Sequence, residues 1–168
     1  MPKNRRLTQA DSYDSPDKLF DEVNLRLLTE LQANPRLSMA ELARRAGMSA
    51  PAVTERVQRL ERTGVIKGYR MEIDPAALGL PVTAFARIRP MPGSLPKIAQ
   101  LAAEIPQVTE CYRITGEDCF LVKLHARAID ELEDVLDRFL TYGNTTTSIV
   151  VSTPVEARNA PLPEPMSP

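Results

Sequence analysis

The strongest structural signal in this sequence is a pair of short helices separated by a tight turn, between residues 38 and 64. Ser38 and Glu41 have the spacing of a capping box, in which hydroxyl and carboxylate satisfy free amides of a helix's first turn. Gly47 suits the left-handed conformation that ends such a helix. Ser49 then predicts the start of another helix, with a proline tolerated in its first turn.

A third helix precedes this pair. Its pattern begins at Asp17 and stops at Asn34-Pro35, because proline disfavours helical geometry in the residue before it. Three helices with a tight turn between the second and third predict a helix-turn-helix. The apolar residues that recur at helical spacing in the first helix are Phe20, Val23, Leu27, Leu28 and Leu31.

The third helix has an apolar side and a polar side. With a step of about 100 degrees per residue, Val57 and Leu60 lie within about 40 degrees of Val53, so these three residues are expected to face the core. The polar side carries Pro51, Thr54, Glu55, Gln58 and Arg62, with Arg59 on its flank.

Charge is concentrated in the same region. Residues 36–70 contain eight arginines and lysines and three acids, whereas the whole chain has a net charge of −1. A basic patch on a mildly acidic protein is typical of a nucleic-acid surface, and the alternative is an arginine-rich solvated helix face. We predict that Gln58 and Thr54 contact bases, and that helix amides and arginines contact phosphates. The predicted DNA-binding residues are Ser49, Ala50, Pro51, Thr54, Gln58, Arg59, Arg62, Arg44 and Arg45.

Arg56 has two interpretations that the sequence leaves open. It lies closer to the buried flank of the helix, so it is either a structural ion-pair residue or a contact to the DNA backbone.

The second half of the chain predicts a β-α-β-β-α-β order, which is the ferredoxin-like arrangement. The expected fold is therefore α+β, with an N-terminal winged helix-turn-helix whose wing is a strand or hairpin at 65–73. One face of the sheet should remain open, so we expect a homodimer. The predicted strands are 80–89, 108–114, 119–126 and 145–153, and the predicted helices are 95–105 and 130–142.

The predicted domain organisation has five parts. They are a disordered arm at 1–16, the DNA-binding domain at 17–73, a linker at 74–80, a βαββαβ oligomerisation domain at 81–155, and a proline-rich tail at 156–168.

These features resemble the leucine-responsive/asparagine-synthesis (Lrp/AsnC) family of transcriptional regulators. The resemblance covers about residues 17–155 and rests on segments 37–49, 56–69, 74–75, 78–79 and 115–116. It implies a DNA-binding regulator that binds double-stranded DNA, forms homodimers that assemble into octamers, and responds to a small-molecule effector such as an amino acid.

The resemblance also implies an effector site between dimers, near the hairpin after Thr115 and the last strand. An amino acid needs an anion for its ammonium group and donors for its carboxylate. Cys119 occupies a position at which the family often has a second acidic residue. The alternative to an effector site is that residues 116–118 form only an ordinary hairpin turn. The predicted effector residues are Tyr112, Thr115, Gly116, Glu117, Asp118, Thr146 and Ser148.

An enzyme on the same scaffold, similar to sirohaem decarboxylases, is the alternative function. Such an enzyme needs basic and histidine side chains around a tetrapyrrole, and the chain has one histidine, His125, which we expect to be a satisfied strand residue. We expect no catalytic residue, cofactor or metal site. Without a signal peptide or membrane span, Cys111 and Cys119 are expected to be reduced thiols in a cytoplasmic protein.

Overall fold

The computed structural model describes residues 19–164, so the predicted arm at 1–16 and residues 165–168 of the tail lie outside the described residues. The chain forms two compact units. The first contains the chain up to Met71 and the tail from Ala157, and the second runs from Glu72 to Glu156. The first is helical and the second contains a four-stranded sheet, so the predicted α+β class is confirmed.

The first unit contains the three predicted helices, α1 (Glu22–Ala33), α2 (Met39–Ala46) and α3 (Ala50–Arg62). Helix α1 begins later than predicted, because the Asp21 carboxylate accepts the Asn24 N–H at 2.7 Å and caps the helix there. Gly47 has a φ of 68°, the left-handed conformation that was predicted for the turn between α2 and α3.

The core of the first unit joins all three helices. Leu27 and Leu31 of α1, Leu42 of α2, and Val53 and Val57 of α3 are each at most 6% exposed. Burial of each such side chain contributes about 1.5–3 kcal/mol to folding. The apolar side predicted for α3 is therefore the side that holds this helix in place.

The capping of α2 and α3 differs from the prediction. The Ser38 hydroxyl accepts the Glu41 N–H at 3.2 Å, but the Glu41 carboxylate turns to Arg44 and Arg45 instead of completing a capping box. Hydrogen bonds between two charged groups are stronger than one to a neutral amide. Ser49 occupies the N-cap of α3, but its side chain makes no capping hydrogen bond.

The wing prediction was wrong in its secondary structure. Residues 65–73 contain no strand in the described structure, and the first strand begins only at Val82. A strand requires a neighbour that accepts its backbone hydrogen bonds, and this segment pairs with none of the described strands. Its larger side chains remain exposed, with Tyr69 at 49%, Met71 at 78% and Ile73 at 51%.

The second unit follows the predicted βαββαβ order after a short 3₁₀ turn at Ala76–Leu78 in the predicted linker. Its elements are β1 (Val82–Pro90), α4 (Leu95–Glu104), β2 (Val108–Arg113), β3 (Phe120–Ala126), α5 (Ile129–Leu140) and β4 (Gly143–Ile149). The sheet order is β2-β3-β1-β4, with every neighbouring pair antiparallel.

Side chains alternate between the two faces of this sheet. Ala84, Ala86 and Ile88 of β1 are fully buried and belong to a core with Ile98 of α4 and Phe139 of α5. Because successive strand residues point to opposite faces, the intervening residues of β1 lie on the other face. We call the face opposite this core the open face. Its residues on β1 are Thr83, Phe85, Arg87 and Arg89.

The last strand ends earlier than the predicted 145–153. Ile149 pairs with Ala84, and the Val150 N–H still donates to the Thr83 carbonyl oxygen at 2.8 Å. Only Val82 of strand β1 lies beyond this point, so the neighbouring backbone ends within one residue. The tail up to residue 164 has neither helix nor strand.

We expect Gly143→Ala to destabilise the second unit, because a Cβ there would overlap the carbonyl oxygen of Arg89 in the paired strand. Overpacking against fixed backbone costs about 1–3 kcal/mol. Gly93→Ala is the matched control, since Gly93 has a φ of 81° but open space around it, and strain alone costs about 1–2 kcal/mol. Urea unfolding followed by circular dichroism should show the larger loss for Gly143→Ala; an equal or smaller loss would contradict this packing.

Candidate functional site

The polar side of α3 is accessible in this structure. Val53, Val57 and Leu60 are at most 3% exposed and anchor the opposite side of the helix. Among the predicted DNA-binding residues on and before this helix, Ser49, Pro51, Gln58 and Arg62 are exposed, and Ala50, Thr54 and Arg59 are half-buried.

Thr54 has one constraint that the sequence did not reveal. Its hydroxyl donates to the Ala50 carbonyl oxygen at 2.8 Å, so its proton is committed to the helix backbone. The hydroxyl oxygen can still accept a hydrogen bond, and the methyl group can contact a thymine methyl.

The two arginines of α2 that were predicted to contact phosphates are paired with acids. Arg44 and Arg45 both donate to Glu41, and Arg45 also donates to Glu30 at 2.7 Å. The hydrogen bond from Arg44, followed by that from Arg45, lowers the pKa of the Glu41 carboxyl below its usual value. The side chain of Arg44 is nevertheless 76% exposed and that of Arg45 44% exposed, so both guanidinium groups reach the surface.

The structure favours the structural interpretation of Arg56. Its Nη1 donates to the Asp21 carboxylate at 2.7 Å and to the Asn24 side-chain oxygen at 3.0 Å. Asn24 is 2% exposed, so this arginine of α3 is bound to the N-terminus of α1. Neither partner was singled out from the sequence, because Asp21 lies 35 residues away along the chain.

The segment after α3 adds cations that sequence reasoning did not assign to the site. The Tyr69 hydroxyl donates to a Glu61 carboxylate oxygen at 3.1 Å, which attaches this segment to the end of α3. Lys67 and Arg70 on either side of Tyr69 are exposed. The high content of arginine and lysine in residues 36–70 was the signal that could have identified them.

Four of the predicted effector residues meet on the open face of the sheet. Tyr112 pairs with Leu121 in the sheet register, and Leu121 pairs with Arg87. Thr146 lies opposite Arg87 on the other side of β1. The four are Tyr112, Asp118, Thr146 and Ser148.

Arg87 and Arg89 are the residues of this face that sequence reasoning missed. The Arg87 Nε lies 3.9 Å from an Asp118 carboxylate oxygen, and the Arg89 Nε lies 3.6 Å from the other. Arg89 also forms an ion pair with Glu117. The available signal was the alternation in β1, which places both arginines on the face opposite Ala86 and Ile88.

The remaining predicted effector residues form the hairpin between β2 and β3. The Ile114 N–H donates to the Cys119 carbonyl oxygen at 3.0 Å and closes the hairpin. Thr115, Gly116 and Glu117 are exposed, and Gly116 has a φ of 107°, which few residues other than glycine adopt. Cys119 and Cys111 are free thiols.

His125 is a satisfied strand residue, as predicted. It is 7% exposed, and its Nδ1 lies 2.9 Å from the Thr83 hydroxyl. Residues 19–164 contain no group of three or more histidine, cysteine or acidic side chains placed to hold a metal ion. None of the helices in that range combines the length and apolar character required to cross a membrane.

Comparison with protein families matches both units of the chain. Residues 20–67 match a winged helix-turn-helix DNA-binding domain, and residues 83–160 match an Lrp/AsnC ligand binding domain. The chain is 35% identical to the HTH-type transcriptional regulator LrpC of Bacillus subtilis over 79% of this chain and 92% of that protein. It is 37% identical to LrpA of Mycobacterium tuberculosis over 82% of this chain and 93% of that protein.

Solved structures of transcriptional regulators are also similar to this chain. The feast or famine regulatory protein from M. tuberculosis, complexed with L-methionine, matches with a TM-score of 0.77 and 36% identity, over 86% of this chain and 99% of that chain. These relatives are transcriptional regulators and do not support the enzyme alternative.

We expect the His125 imidazole to titrate below its ordinary pKa of 6.5, because burial and nearby Lys123 disfavour its charged form more than Glu110 favours it. Folding therefore favours the neutral imidazole. The resulting contribution to the free energy of unfolding is present above pH 6.5 and is lost as the pH falls through the lowered pKa. The chain has a single histidine, so its ring proton is directly assignable in an NMR titration. A midpoint at or above 6.5 would contradict the burial.

Proposed function

Because this chain belongs to the Lrp/AsnC family of transcriptional regulators, we propose that the polar side of α3 lies in the major groove of double-stranded DNA. The observation that carries the proposal is the combination of an exposed polar side with an opposite side buried through Val53, Val57 and Leu60. A major groove admits a single helix, and base edges there differ in their donors and acceptors.

Base contacts are assigned to two outward side chains of α3. Gln58 is exposed and can make a bidentate contact to adenine. Thr54 contributes an acceptor and a methyl group, since its proton is bound to Ala50. The small residues Ser49, Ala50 and Pro51 let the start of the helix approach the duplex, where its free amides attract a phosphate.

Phosphate contacts are assigned to the arginines around this helix. Arg59 and Arg62 flank its exposed side, and Arg44 and Arg45 of α2 reach the surface beside Glu41. Exposed ion pairs of this kind contribute about 0–1 kcal/mol, so a phosphate can displace the carboxylate at small cost.

We expect Arg59→Gln to weaken binding to specific and unrelated duplexes by a similar factor, because a phosphate contact carries no sequence information. The slope of log affinity against log salt concentration should become shallower by about 0.9. Gel-shift titrations at several salt concentrations, with a duplex selected from a random pool and a scrambled one, provide the measurement. Arg138→Gln on α5 is the control and should change neither quantity; an unchanged slope for Arg59→Gln would exclude the phosphate contact.

We also propose that the protein is a homodimer that assembles further, up to the octamer implied by the family. Two observations support this proposal. The open face carries half-buried apolar side chains, Phe85 and Leu121, on adjacent strands. The segment after α3 pairs with none of the described strands and exposes a large side chain at every second position, namely Tyr69, Met71 and Ile73. A second chain could cover these side chains. Two copies of α3 would then contact two half-sites of a pseudo-palindromic operator. The proposed binding to DNA agrees with the cytoplasmic location expected from the sequence.

The effector is proposed to be an amino acid that binds on the open face near the 114–119 hairpin. The support is the L-methionine complex of the M. tuberculosis relative, together with the charged and hydroxyl groups that meet here. An effector at such a site can change DNA affinity by favouring one assembly over another.

We expect at least one of the twenty protein amino acids to raise the melting temperature of the full chain, because a ligand that binds only the folded state stabilises it. At a concentration of one hundred times Kd the gain is about 2.7 kcal/mol. Arg59→Gln is the matched control and should retain the same shift, since it lies in the other unit. No shift with any amino acid would refute the proposed effector class.

A further inference from the structure

The arginine pair on β1 already holds a carboxylate. Arg87 and Arg89 are two residues apart in a strand, so they lie on one face with their Cα atoms about 7 Å apart. The two oxygens of Asp118 face one guanidinium group each, at 3.9 Å and 3.6 Å. Asp118 therefore marks a position where a carboxylate fits between two cations.

This carboxylate is held loosely. Both distances exceed the 2.7–2.9 Å typical of a charge-assisted hydrogen bond between nitrogen and oxygen. By contrast, the Arg89 guanidinium is in close contact with Glu117. The arginine side chains are 54% exposed and Asp118 is 30% exposed, so a solute can reach the gap.

We propose that Arg87 and Arg89 receive the carboxylate of the effector and that Asp118, displaced from between them, binds its ammonium group. This inference rests on the proposed amino-acid effector and adds the polar recognition that it requires. The effector class is then a free α-amino acid with both charged groups intact.

Charge pairing explains why both groups are needed. The two arginines, Asp118 and Glu117 carry two positive and two negative charges, so this group of four side chains is neutral. A zwitterion inserted between Asp118 and the arginines gives every charge an opposite neighbour. An amine alone would draw Asp118 away from the arginines, and a carboxylate alone would leave Asp118 beside a second anion.

Strand β4 supplies neutral groups beside the same gap. Thr146 lies opposite Arg87 and Asn144 lies opposite Arg89 in the sheet register. Their hydroxyl and amide groups can complete the hydrogen bonds of a bound carboxylate. This arrangement gives the predicted effector residue Thr146 a role next to Arg87.

The test is isothermal calorimetry on the full chain with each protein amino acid, followed by the amide of the tightest-binding one. We expect the amide, which lacks the carboxylate charge, to bind at least tenfold more weakly than the amino acid. Arg87→Gln should weaken binding of the amino acid by a similar factor, and Arg87→Lys, which keeps the charge, should weaken it less. Asp118→Asn should also weaken it.

Arg138→Gln, an exposed arginine on α5, is the matched control and should bind like the parent chain. Without added amino acid, the melting temperatures and DNA affinities of the variants should match those of the parent, which excludes loss of folding as the cause. If an amino acid binds but its amide or Arg87→Gln binds equally well, this inference is wrong while the proposed effector class stands. If no amino acid binds the parent chain, both are wrong.

Discussion

Everything in the DNA-binding unit depends on the apolar contact between α3 and the two helices before it. Val53, Val57 and Leu60 occupy one side of α3 and are almost completely buried. Because this apolar contact holds the helix by one side, the opposite side can remain polar and exposed without loss of stability. Arg56 adds a second attachment, since it binds the residue that caps α1 and the buried Asn24. Contacts within the fold therefore fix the orientation of the polar side of α3.

In the second unit, the single strand β1 likewise has one buried face and one exposed face. In β1 the small and branched residues Ala84, Ala86 and Ile88 belong to the core, whereas Arg87 and Arg89 lie on the open face. The packed strand thereby fixes the spacing of the two Cα atoms that carry these arginines. The hairpin that carries Asp118 reaches these groups only because β3 is paired directly with β1.

The helices and the order of the strands were predictable because their signals are local. Helix periodicity and the glycine at position 47 gave α2 and α3 nearly to the residue, and alternation with turns gave the βαββαβ order. Strand ends and the wing were not predictable, since they depend on whether a neighbouring backbone is present. The partners of Arg56 and Arg89 lie 35 and 28 residues away, respectively, and residue type alone does not identify such pairs.

Whether the polar side of α3 faces DNA can be tested directly by crosslinking. A photo-crosslinking amino acid replaces Gln58 in one preparation and Glu133, an exposed residue of α5, in another. Each preparation is irradiated with a bound duplex. If the polar side of α3 lies in the groove, position 58 crosslinks to bases of the duplex and position 133 does not. No crosslink from position 58, or equal crosslinking from both positions, would contradict it.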